Sequence, residues 1–268
     1  MWRVEYHALC MVLYVYMAQP YLSIIIPAYN EAERISKTLI DMDRRLSGVD
    51  YSYEILVVND GSKDNTAAIV KNMAKMVKNL KLIDRKDNLG KGGTVKQGMM
   101  LATGNIRLFT DADNSTSIDQ FEKMIPLFKE GYDVVIGSRA MRGAELDPPE
   151  SLFRRAIGKV LNFFIQILLL PGIWDTQCGF KAYTAAAAEK IFILSKTPGW
   201  GFDVETLALA KRLGYRIKEV PVRWVNDTRS HVTFFGGLQF LAETGTIRWR
   251  LWMDEYNLRH QNLSKISN

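Results

Sequence analysis

Short apolar runs broken by polar turns recur along the first half of the chain. Tyr21-Leu22-Ser23-Ile24-Ile25-Ile26 is β-branched and stops at Pro27, a pattern that predicts a buried parallel strand feeding a loop. After Ala28-Tyr29-Asn30-Glu31, apolar residues Ile35, Leu39, Met42 and Leu46 keep helical spacing until Gly48-Val49-Asp50 breaks it. Glu54–Val58 predicts a second strand, ending on Asn59-Asp60-Gly61-Ser62 before a helix start at Asp64-Asn65-Thr66. Leu80–Ile83 predicts a third, then Asn88-Leu89-Gly90-Lys91-Gly92-Gly93 and a helix over Thr94–Ala102. Ile106–Phe109 is the fourth, followed by a helix over Ile118–Lys129, and Asp133–Gly137 is the fifth, ending at Ser138-Arg139. Strands separated by helices at intervals of about 30 residues imply right-handed crossovers and an α/β fold with a mostly parallel central sheet.

Beyond Arg139 the texture changes. Met141–Glu150 reads as a polar loop, and Leu152–Leu170 as a helix with Arg154, Arg155 and Lys159 ahead of a broad apolar run. Such a segment suits either a membrane interface or a buried core. Trp174–Lys181 leads to a small-residue helix over Ala185–Ile191. A further helix runs from Gly201 through Arg212, with Asp203 and Glu205 on its first turn, as cap or as site. Arg216–Val222 is the last predicted strand, Trp224–Thr233 a loop, and Phe234–Trp252 an amphipathic tail.

The fourth strand carries the most pointed chemistry. It ends at Asp111-Ala112-Asp113, two carboxylates separated by one small residue, where open α/β sheets bind ligands. A lone Asp-x-Asp is also what a solvated turn looks like. At a strand tip it can hold a hard divalent ion and leave coordination positions for diphosphate oxygens. The three glycines around Lys91 offer backbone N–H groups and a charge to an anion, or form an ordinary loop. No Gly-x-Gly-x-x-Gly follows the first strand and no Walker lysine is present, which disfavours dehydrogenase and P-loop readings.

With 268 residues, 47% of them apolar, the chain can build one large domain and a tail. A net charge of +6 and a pI near 9.2 suit an anionic partner, but no nucleic-acid module is visible. Cys10 and Cys178 are too few for a disulfide framework or zinc site, and both are expected reduced. The 11-residue apolar stretch Ala8–Ala18 falls short of the roughly 20 needed to span a bilayer. It reads as an anchor remnant, a membrane-resting segment or an extra packed element. The expected division is 1–20 as N-terminal segment, 21–233 as catalytic domain and 234–268 as tail.

Ile26–Glu31, Val58–Ser62, Asp111–Asp113, Gly137–Arg139 and Asp175-Thr176-Gln177-Cys178-Gly179-Phe180-Lys181, in this order, resemble the family 2 inverting glycosyltransferases. The resemblance covers about residues 21–233, and is strongest to the dolichyl-phosphate β-glucosyltransferases through Asn88–Gly93, Asp175–Lys181 and Phe202–Glu205. It implies a Rossmann-like A-type glycosyltransferase domain. Pro27, Ala28, Tyr29, Glu31 and Asp60 would hold the nucleoside, and Asp111 and Asp113 the diphosphate through Mg²⁺ or Mn²⁺. The implied reaction moves glucose from UDP-glucose to a polyisoprenyl monophosphate with inversion. That acceptor is already anionic and needs no strong base. Arg139 is the first candidate to grip its phosphate, followed by Lys91, Arg229 and Ser230; Asp175 would act as base or orienter.

Relatives commonly carry Lys or Arg after the serine matching Ser230, where this chain has His231. With no spanning stretch visible, peripheral membrane association is expected through Leu152–Leu170, the N-terminal run or the tail. The catalytic domain would face the cytoplasm, at the endoplasmic reticulum in a eukaryote. Three rivals remain at this point: mannosyl or other hexosyl transfer from GDP- or UDP-sugars, nucleotidyl transfer, which would want a glycine-rich loop at Pro27–Glu31, and a catalytically silent nucleotide-binding homologue.

Overall fold

The computed structural model describes residues 19–148, 152–225 and 234–258. Strands β1 (Leu22–Ala28), β2 (Tyr53–Asp60), β3 (Leu80–Arg85), β4 (Ile106–Thr110), β5 (Val134–Ser138), β7 (Phe180–Thr184) and β8 (Ile217–Pro221) form one sheet in the order β3-β2-β1-β4-β7-β5-β8. A small parallel pair, β6 (Glu145–Asp147) and β9 (Arg223–Val225), lies apart from it. The helices are α1 (Ile35–Leu46), α2 (Thr66–Met73), α3 (Gly90–Leu101), α4 (Ile125–Lys129), α5 (Leu152–Leu168), α6 (Ala185–Leu194), α7 (Phe202–Arg212) and α8 (Phe234–Trp252).

Alternate residues of each central strand enter opposite cores, as period-two geometry dictates. Ile24, Ile26, Ile55 and Val57 pack with Leu39 and Met42 of α1, whereas Ile25, Leu56 and Val58 pack with Val95 and Met99 of α3. A sheet apolar on both faces explains why these strands read as unbroken hydrophobic runs. Gly98 lets α3 lie close, because a Cβ there would collide with Ile25. The tail helix joins the second core through Phe240 and Ile247.

The order of strands sets the site. From β1 the chain winds outward through β2 and β3, then crosses back so that β4 pairs with β1 on its other side. In open α/β sheets the crevice at such a reversal is where ligands bind, here beyond the carboxyl ends of β1 and β4. A recess of about 380 Å³ lined by Leu46, Tyr51, Lys78 and Asn79 opens elsewhere, beside the amino-terminal ends of β2 and β3, and takes no part in it.

Three expectations are corrected. The strand β7 was not legible: it enters between β4 and β5, antiparallel to both. Its sequence Phe-Lys-Ala-Tyr-Thr interrupts the apolar run with a lysine and gives no clean alternation. The helix predicted over Ile118–Lys129 is a 3₁₀ turn over Ile118–Lys123 followed by short α4, which restarts beside Pro126. The glycines around Lys91 are no anion loop. They form the first turn of α3, and the N–H groups of Gly92 and Gly93 donate to Pro198 O at 2.8 and 3.3 Å.

Candidate active site

The β1–α1 and β2–α2 loops are laced together at the crevice. Asn30 N donates to Ser62 Oγ at 3.0 Å, Lys63 N to Asn30 Oδ1 at 2.8 Å, and Glu31 N to Thr66 Oγ1 at 2.8 Å. Asn30 takes a left-handed backbone, φ 54°, which asparagine tolerates. Ala28 is in register with Asn59, so Tyr29 and Asp60 stand at neighbouring strand tips. Tyr29 is 42% exposed, which leaves it open to stacking. Asp60 is buried and structural in part: its Oδ1 accepts from Leu89 N at 2.9 Å and pairs with Arg85 at 3.3 Å.

The acidic pair follows β4 directly. Thr38 Oγ1 donates to Ala112 O at 2.6 Å, tying the turn to α1, and Asp113 Oδ1 accepts from Ser115 N at 2.9 Å. Burial, with the charge of Asp111 beside it, pushes the Asp113 carboxyl above its ordinary value. Burial likewise raises Glu31; its Arg34 partner at 2.7 Å opposes this, while Asp113 and Asp111 add to it. Glu31 and the acidic pair therefore share one electrostatic neighbourhood, and Tyr29 and Asp60 stand at the tips of the strands beside it.

Asp111 is also met from two other elements. Lys91, on the first turn of α3, places Nζ 2.6 Å from Asp111 Oδ1 and 5.0 Å from the Trp200 ring centre. Burial alone would lower the Lys91 ammonium, but Asp111 and Asp203 outweigh it and hold it above the usual lysine value. Gly179 lies against the Asp111 carboxylate, with which a Cβ there would collide. The register Thr110↔Phe180 places it there.

A second cluster is built by the same Asp175–Lys181 stretch. Asp175 accepts from Arg139 Nε at 2.8 Å, Nη2 at 2.9 Å and backbone N at 2.9 Å, a bidentate pair. Arg139 stacks over Trp224 at 4.7 Å, and Glu219 accepts from Trp174 N and Asp175 N at 2.9 and 3.0 Å. Burial would raise Asp175, yet Arg139 prevails and holds its carboxyl below the usual range. An aspartate so held is a weak base and a firm anchor. Cys178 is buried and its thiol is pushed up to about 12 by burial, so it is inert.

Sequence reasoning gave Lys181 no role, although it closes the Asp175–Lys181 motif as a lysine set between apolar residues. Fully buried, it pairs with Asp203 of α7, donates to Cys178 O at 2.6 Å and faces the Phe109 ring. The two first-turn carboxylates of α7 thus divide: Asp203 backs the site, while Glu205 accepts from Thr197 N at 2.9 Å and Tyr256 O–H at 2.6 Å, fastening a loop and the chain beyond α8. Arg229, Ser230 and His231 lie outside the described residues, as does Ala8–Ala18.

Residues 23–192 match the family described as Glycosyl transferase family 2. The chain is 35% identical over 252 residues to a dolichyl-phosphate beta-glucosyltransferase of Dictyostelium discoideum, covering 89% of this chain and 77% of that one. It is 32% identical to the human protein of the same name, covering 85% and 75%. Among solved structures, glucosyl-3-phosphoglycerate synthase from Mycobacterium tuberculosis, in complex with Mn²⁺, UDP and glucosyl-3-phosphoglycerate, is similar in fold. Its TM-score is 0.64 at 20% identity, over 86% of this chain and 80% of that one. A mannosyltransferase from Pyrobaculum calidifontis, in complex with GDP-Man and Mn²⁺, gives 0.60 at 21% identity, over 87% and 65%. On the family match and on identity sustained over most of both chains, this protein belongs to glycosyl transferase family 2.

Proposed function

We propose that the protein transfers glucose from UDP-glucose to a polyisoprenyl monophosphate, inverting the anomeric centre. The observation that carries this reading is the convergence of Asp111 and Asp113 with the Tyr29 and Asp60 loops at one crevice, in a chain whose relatives are named dolichyl-phosphate beta-glucosyltransferases. Two hard carboxylates suit Mg²⁺ or Mn²⁺, and the fold neighbours were solved with Mn²⁺. Asp111 and Asp113 would hold the ion, which when bound neutralises diphosphate charge and eases departure of the nucleotide.

The chain's own residues do the remaining work. Pro27 and Ala28 form the floor under the base, Tyr29 stacks on it, and Glu31 and Asp60 accept from ribose or base hydroxyl and N–H groups. The acceptor's phosphate oxygen is an anion at neutral pH, so no side chain has to remove a proton from it. Arg139 provides the positive end of the acceptor side, and Asp175 is a positioning residue that fixes its guanidinium. Arg229 and Ser230 are further contacts to the acceptor phosphate in this reading, and Lys91, beside Asp111, faces the donor's diphosphate. Positioning and electrostatics supply the rate.

A lipid-borne acceptor also requires approach to a membrane surface. Among the described residues no helix is long and apolar enough to cross a membrane. On α5, Val160, Phe163, Phe164 and Ile167 stand at helical spacing and are exposed, a stripe suited to lying in the interface.

The test is a panel of labelled UDP- and GDP-sugars with a short polyprenyl phosphate, read by organic extraction. Label is expected in the lipid phase from UDP-glucose, and Asp113→Ala should abolish it. Transfer from GDP-mannose in place of UDP-glucose would overturn the donor; undiminished turnover by Asp113→Ala would overturn the metal role.

A further inference from the structure

We infer that Lys91 is a built-in placeholder for the metal: its ammonium sits on the Asp111 carboxylate until a nucleotide diphosphate arrives, so that cation and donor bind cooperatively. The inference rests on the reading that Asp111 and Asp113 hold a divalent ion, and goes beyond it. Lys91 Nζ is 2.6 Å from Asp111 Oδ1. That is the separation at which an ammonium donates directly into a lone pair of the oxygen, occupying one of the sites on this carboxylate that a divalent ion would use. Two cations on one carboxylate repel, so a metal entering alone binds against the charge of Lys91 and gains if the ammonium moves off Asp111.

The surroundings leave the displaced ammonium without a ready substitute. The backbone at Lys91 is pinned, since the N–H groups of Gly92 and Gly93 donate to Pro198 O and a Cβ at Gly92 would meet Thr197 O. Only the four-carbon stem can swing. Asp203, the next carboxylate along, is already paired with the buried Lys181, and the Trp200 face offers a weaker resting place. A bound diphosphate changes this: its oxygens complete the metal's coordination and give Lys91 a new anion. Reciprocity then makes each ligand tighten the other.

The experiment measures Mn²⁺ affinity from the electron paramagnetic resonance signal of the free ion. Wild type and Lys91→Met are each titrated without nucleotide, with uridine and with UDP. Lys91→Gln is used if the methionine variant fails to fold. In wild type, UDP should tighten Mn²⁺ at least about 10-fold and uridine should not. Removing the ammonium should tighten Mn²⁺ without nucleotide by about 5-fold and shrink the gain from UDP. A variant that binds bare Mn²⁺ as wild type does, or more weakly, overturns the placeholder while leaving the metal reading intact. No binding by wild type even with UDP overturns both.

Discussion

Gly179 shows how one missing side chain shapes the centre. Its α-carbon lies where any Cβ would strike the Asp111 carboxylate, so this glycine is a spatial requirement of the acidic pair. Gly179→Ala should displace Asp111 and lower transfer by about 100-fold or more, as a misplacement on the scale of an ångström does. Retained activity would show that the turn yields. Asp175 makes a complementary prediction about pH. Arg139 holds its folded pKa below the ordinary 3.8, so its contribution to stability is present above that value and is lost as pH falls through the folded pKa. Thermal melts of Asp175→Asn should therefore be less stable than wild type at neutral pH, and the gap should narrow as acid is added. A gap independent of pH would contradict the pair. Most of these residues were legible because acidic and glycine-rich turns at strand ends are conspicuous. Lys181 was not, since what makes it informative is complete burial against Asp203, a contact between elements far apart in sequence.

Among elements, those whose periodicity comes from a single buried face could be read directly. Helix α1 keeps its spacing from Ile35 to Leu46 because it lies on the sheet by that stripe alone. Helix α3 was read one turn late: three glycines look like a loop, and only the carbonyl of Pro198, some hundred residues away in sequence, shows why they are helical. Helix α5 was ambiguous between membrane interface and core. It does some of each: Ile165 is buried in the second core, while Phe163 at 61% and Ile167 at 65% are exposed, the stripe proposed to meet the interface. Replacing both by glutamate should weaken co-sedimentation with anionic vesicles at least about 10-fold, since burying each side chain contributes roughly 1.5–3 kcal/mol. Activity on a soluble, short-chain acceptor should persist. Unchanged vesicle binding would move the contact to another face.

At the scale of the whole molecule, the strand–helix rhythm was sufficient to predict a mostly parallel sheet and the place of its crevice. It did not reveal the order of the strands. The antiparallel β7 wedges between β4, 70 or more residues before it, and β5, about 45 residues before it, and it lets one seven-residue stretch serve both clusters. Asp175 reaches Arg139, Gly179 makes room for Asp111, and Lys181 backs the floor through Asp203. The central claim is that a divalent ion held by the acidic pair carries the donor's diphosphate. Calorimetric titration of UDP into wild type and Asp113→Ala, with and without Mn²⁺, tests it most directly. Mn²⁺ should tighten UDP binding by wild type at least about 10-fold and leave the variant's binding unchanged; an equal Mn²⁺-dependent gain in Asp113→Ala would contradict the account.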